Sequence, residues 1–95
     1  MGNFIGGSAF AMANQIADGH LLLNIHHLKR LGPADINVLK AELNKILRET
    51  RSNQPPLDEI ELLQRRNRKI SRINNAMTIL NAKLDEKKRG RPQSS

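Results

Sequence analysis

The sequence predicts an all-α protein, and three observations carry that prediction. Apolar residues recur at steps of three and four along most of the 95 residues, and no stretch alternates with period two. Glycine and proline fall at segment boundaries: Gly32-Pro33, Pro55-Pro56, and Gly90 with Pro92. Aromatic residues are reduced to Phe4 and Phe10, so any core is built from Leu, Ile, Ala and Met. The expected architecture is a helical hairpin or three-helix bundle with a long C-terminal helix and a disordered basic tail. Three regions follow: 1–54 with two helices, 55–86 as one long basic amphipathic helix, and 87–95 as the tail.

The first helix is expected to start at Ser8, a suitable N-cap after Gly6-Gly7. Its apolar residues are Phe10, Ile16, Leu21, Ile25 and Leu28, and it stops at Leu31-Gly32. Gly19 interrupts it, at a cost of about 1 kcal/mol against alanine. A break at Asp18-Gly19 into two shorter helices is therefore the alternative. The second helix opens on Pro33, with Asp35 placed where a carboxylate suits the helix dipole. Ile36, Leu39, Leu43 and Ile46 or Leu47 form its apolar stripe, and Lys45, Arg48 and Arg51 gather near its C-terminal end. Residues 49–56 read as a linker.

The third helix is expected to begin at Pro55 or Pro56, with Asp58, Glu59 and Glu61 in its opening turns. Leu63, Ile70, Met77 and Leu84 recur every seven residues, with Ile73 and Leu80 between them. This is a heptad seam over three repeats, or equally one core-facing stripe of a bundle. A helix over 57–88 is about 48 Å long and the second helix only about 27 Å. A hairpin of the two leaves Met77, Leu80 and Leu84 uncovered. A homodimer through the seam is the expected resolution, and the absence of cysteine removes disulfides as another source of stability.

Charge points to a class of partner. Sixteen Lys and Arg stand against nine Asp and Glu, a formal charge of +7, which favours a polyanionic partner, nucleic acid or an anionic membrane face. From residue 62 to 84 there are six basic side chains and no acid. On a helix, Arg65, Arg68, Lys69 and Arg72 fall on one stripe that can track a phosphate backbone. A solvated face balancing Asp58, Glu59 and Glu61 is the other reading of the same run. Asn67, Asn74 and Asn81 also repeat every seven residues, either fixing register or forming a polar edge towards water.

Catalysis finds little to work with, since no serine has a His-and-acid pattern that would activate it. No enzyme activity and no cofactor are expected. His20 and His27 would share a face of an unbroken first helix, but their spacing matches no common ligand motif, and no metal site is expected. No apolar stretch is long enough to span a bilayer, and the first basic residue is Lys29, which argues against a secretory leader. Gly6 stands where myristoylation expects Ser or Thr. The expected location is cytoplasmic (nucleoid) or nuclear, without membrane association.

The tail is the most specific feature. Lys87-Lys88-Arg89-Gly90-Arg91-Pro92 resembles an AT-hook, a short minor-groove motif built on Arg-Gly-Arg-Pro with basic flanks. The resemblance covers this stretch alone. It implies that Arg89 and Arg91 lie along the floor of an A·T-rich minor groove, with Gly90 allowing the backbone to approach and Pro92 holding the chain extended. The physics agrees. A narrow A·T groove concentrates negative potential that attracts arginine, and guanine's amino group obstructs the same insertion. The sequence departs from the pattern after Pro92, where Gln93-Ser94-Ser95 replace the usual second basic flank. RNA is disfavoured because stacking platforms need aromatics.

The expectation is thus a non-enzymatic DNA-binding protein, a transcriptional or chromosome-architecture factor. Its alternative is a helical protein-interaction module, an adaptor, chaperone or assembly subunit, whose stripes bind a partner helix and whose tail is only a charged terminus.

Overall fold

The structure, a computed structural model, describes residues 4–89, with the side chains of all of these except Ile5 and residues 87–89. After a 3₁₀ turn at Ile5–Gly7, four helices follow: α1 (Ala9–Ala17), α2 (Ile25–Lys29), α3 (Pro33–Ser52) and α4 (Ile60–Arg89). No strand occurs among the described residues. The all-helical expectation holds, including the long last helix.

α1 begins where the sequence places it. The Ser8 side chain accepts a hydrogen bond from the Ala11 N–H at 3.1 Å, satisfying one of the unpaired donors of the first turn. The helix ends at Ala17 because Gly19 adopts a positive φ of 85°. The His20 N–H then donates to the Gln15 carbonyl at 2.9 Å, and the Gly19 N–H to that of Ile16 at 3.2 Å. These two bonds are the Schellman arrangement, which closes a helix at a left-handed residue. The alternative with a break at Asp18-Gly19 is therefore the observed one, and the single helix to Leu31 is not.

The break changes which residues meet. α1 buries Ala9, Met12, Ala13, Ile16 and Ala17, a set at helical spacing whose alanines permit close approach to its neighbours. Phe10 lies off that face and is exposed, as is Ile25 on α2. His20 falls in the connecting segment and His27 on α2, so they share no helix face. α2 is capped by Asn24, whose Oδ1 accepts from the His26 and His27 N–H groups at 2.9 and 3.1 Å. The His27 Nδ1 accepts in turn from the Asn24 N–H at 3.3 Å, so this histidine completes a helix cap.

α3 follows its sequence closely. Pro33 takes the first helical position and the Asp35 carboxylate accepts from the Gly32 N–H at 3.1 Å. Ile36, Leu39, Leu43, Ile46 and Leu47 are all buried. The helix keeps residues 49–52, so the linker shortens to 53–59. There the Glu59 N–H donates to the Pro56 carbonyl, forming a turn that delays the start of α4 to Ile60.

α3 and α4 form a hairpin against which α1 packs. Ile73, Ala76, Leu80 and Leu84 of α4 are buried with the core residues of α1 and α3, while Ile70 and Met77 pack at its margin. This corrects the expected exposure of Met77, Leu80 and Leu84. The reason is register. Arg66 meets the last turn of α3 at Thr50 and Arg51, so α3 runs back along the rest of α4. The overhang falls instead at α4's N-terminal end, where Leu57, Ile60 and Leu62 are exposed. Segment 18–32 runs from the end of α1 to the start of α3 and carries Leu28 and Leu31 into the core, with Leu21 and Leu23 packed on it. The expected interface residues Ile73, Leu80 and Leu84 are thus covered within one chain, and Leu63, Ile70 and Met77 are half-buried. The end of the seam from which a second copy was expected, at Leu80 and Leu84, is therefore filled within the chain. Each fully buried Leu or Ile contributes about 1.5–3 kcal/mol, so this aliphatic core is the main source of stability. Asn67, Asn74, Asn75 and Asn81 are exposed; they form the polar edge and do not fix register.

Candidate functional site: a basic junction on α4

The arginine run of α4 lies where the C-terminal ends of α1 and α3 approach it. Helix ends leave carbonyls without intrahelical partners and carry partial negative charge. Two arginines meet that need. Arg66 donates from Nε to the Thr50 carbonyl at 3.1 Å and from Nη2 to the Arg51 carbonyl at 3.2 Å. Arg72 donates from Nη1 to the Ala17 carbonyl at 3.1 Å, a contact spanning 55 residues of sequence. Its guanidinium lies against Gly19, where a Cβ would come within 2.9 Å of Arg72 Cζ. The glycine that ends α1 therefore also makes room for the arginine that caps it.

Lys69 stands 4.0 Å from the Asp18 carboxylate, with both side chains partly exposed. At that distance and exposure the pair contributes less than about 1 kcal/mol. Arg65 and Arg68 are exposed and make no hydrogen bond or ion pair with the described residues. The expected stripe of Arg65, Arg68, Lys69 and Arg72 thus divides. Arg72 is held by the fold, Lys69 faces Asp18, and Arg65 and Arg68 are available to a ligand. The acids Asp58, Glu59 and Glu61 pair with none of these cations.

These side chains border a cleft of about 570 Å³ whose lining also includes Asn14, Asp18, Ile46, Glu49, Thr50 and Asn53. Sequence reasoning left Arg66, Asp18 and Glu49 out of the site. For Arg66 the signal was present: it precedes Ile73 by seven residues, on the face that turns towards α3 where the apolar seam runs out. Asp18 and Glu49 could not be found this way, because their position depends on how α1 and α3 end.

The helical backbone of α4 continues through Arg89, three residues beyond the expected boundary at 86. Gly90, Arg91 and Pro92 of the hook-like stretch lie outside the described residues, as do the side chains of Lys87, Lys88 and Arg89. Among the described residues no three His, Cys, Asp or Glu side chains gather as a metal would require, and no helix is long and apolar enough to cross a membrane. Comparison with protein-family models, with curated proteins and with solved structures gave no match.

Proposed function

We propose that the protein binds A·T-rich DNA without catalysis, as a transcriptional or chromosome-architecture factor of the nucleoid or nucleus. The observation that carries this reading is the stretch Lys87-Lys88-Arg89-Gly90-Arg91-Pro92 at the end of a long basic helix. Arg89 and Arg91 enter the minor groove, Gly90 lets the backbone approach its floor, and Lys87 and Lys88 add phosphate attraction. Arg65 and Arg68, without partners of their own among the described residues, supply further phosphate contacts. Lys69 and Arg72 contribute less than the sequence suggests, because α1 engages them.

A single hook binds weakly, and a second copy would raise its affinity through effective concentration. Ile73, Leu80 and Leu84 of the aliphatic seam are buried within the chain, which leaves only the partly exposed Leu63, Ile70 and Met77 along it. Leu57, Ile60 and Leu62, which are exposed around the start of α4, are apolar surface open to a second copy or to another protein. They are also what favours the interaction-module reading. The two readings part on base preference. Gly90→Ala keeps every charge but places a methyl group where the backbone should press on the groove floor. The expected result in a mobility-shift assay is loss of A·T preference with weak nonspecific binding retained. Unchanged behaviour of Gly90→Ala would remove the hook reading and leave the interaction module.

A further inference from the structure

The cleft at the junction of α1, α3 and α4 is concave, and its volume of about 570 Å³ lies in the range of small-molecule sites, roughly 300–1,000 Å³. Five cations of α4 line it against two carboxylates, Asp18 and Glu49, leaving a surplus of three positive charges. No aromatic ring lines it, so it has no platform on which a base would stack. We infer that this cleft binds a diphosphate group, free or carried by a small molecule, through Arg65, Arg68 and the fixed guanidinium groups of Arg66 and Arg72. One phosphate monoester brings only about −1.5 to −2 charges near neutral pH, short of the surplus; two linked phosphoryl groups meet it.

The carbonyls of Thr50, Arg51 and Ala17 already hold Arg66 and Arg72 in place. Each of these two guanidinium groups keeps N–H donors beyond those bonds. A side chain fixed before binding loses little rotamer freedom on binding. Arg65 and Arg68 are exposed and unpaired among the described residues, and they turn onto the ligand from the open side. The bound anion also bridges α4 to the ends of α1 and α3, so binding stabilises the fold. This site does not depend on the tail, and it stands whether or not the tail reads DNA.

The test is thermal unfolding of the full chain with inorganic pyrophosphate, at ionic strength held constant with sodium chloride. Pyrophosphate at about ten times its Kd should raise the native Tm by roughly 5–10 °C. Arg65→Gln with Arg68→Gln should weaken binding at least about tenfold, since two charge-assisted contacts are lost. Neither side chain has a structural bond to lose. Asp18→Asn with Glu49→Gln should tighten binding, an effect that a purely structural role for the cleft would not produce. Neutralising Lys87, Lys88, Arg89 and Arg91 to Gln should leave the pyrophosphate shift intact. A nucleoside diphosphate run alongside distinguishes the ester from the free anion, and binding of either supports the site. The proposal is overturned if native protein shows no shift beyond the chloride control. It is equally overturned if the Arg65/Arg68 variant keeps the full shift, or if the tail variant loses it.

Discussion

Gly19 and Arg72 act as one unit. The glycine's positive φ ends α1, and its missing side chain lets the Arg72 guanidinium reach the Ala17 carbonyl. Gly19→Ala should cost about 1–2 kcal/mol from the left-handed backbone alone, plus part of the arginine's contact. Arg72→Gln should cost about 1.5–3 kcal/mol if the charged hydrogen bond is fully lost. Because both changes remove the same contact, the double variant should lose less than the two single losses added. Urea denaturation of the four proteins measures this, and strict additivity would mean that the two residues act separately. The sequence showed a charged stripe but could not show this division of labour. Arg65 and Arg72 look alike on a helical wheel, and only the position of α1's end separates them.

At the scale of elements, α3 was the most legible. Its proline, its first-turn carboxylate and its stripe all agree, and every stripe residue is buried. The first helix was the least legible, because a glycine costs only about 1 kcal/mol inside a helix, too little to decide a break by itself. What holds the break is the close of α1: the two bonds to Gln15 and Ile16 at Gly19 and the Arg72 guanidinium on the Ala17 carbonyl. After it the chain returns Leu28 and Leu31 to the core. The short α2 then depends on its cap. Asn24→Ala should destabilise the protein by about 1 kcal/mol and raise amide exchange in 20–31 before it does so in α3. Uniform loss of protection across α3 and α4 would show that α2 is not a separate local unit.

For the whole molecule, closure of the core within one chain has a direct consequence. Leu80 and Ile73 are fully buried, so Asp at either site should unfold the protein outright, since an unpaired buried charge rivals the stability of a small domain. The native Tm should not depend on protein concentration, whereas a fold completed by a second copy would gain stability as concentration rises. The long helix with its basic end was legible from spacing and charge. The burial of Leu80 and Leu84 was not, because it depends on the register of α4 against α3. That register is fixed where Arg66 meets Thr50 and Arg51, a contact with no periodic signal.

The functional account rests on base preference more than on affinity, because any chain of this charge binds nucleic acid more weakly as salt rises. Phosphate attraction ignores base identity, while arginines in the minor groove need its narrow A·T form. The most direct measurement is therefore competition between A·T-rich and G·C-rich duplexes of equal length for the native chain at fixed salt. The account predicts clear retention of the A·T duplex under G·C competition. Equal displacement by the two duplexes would contradict it.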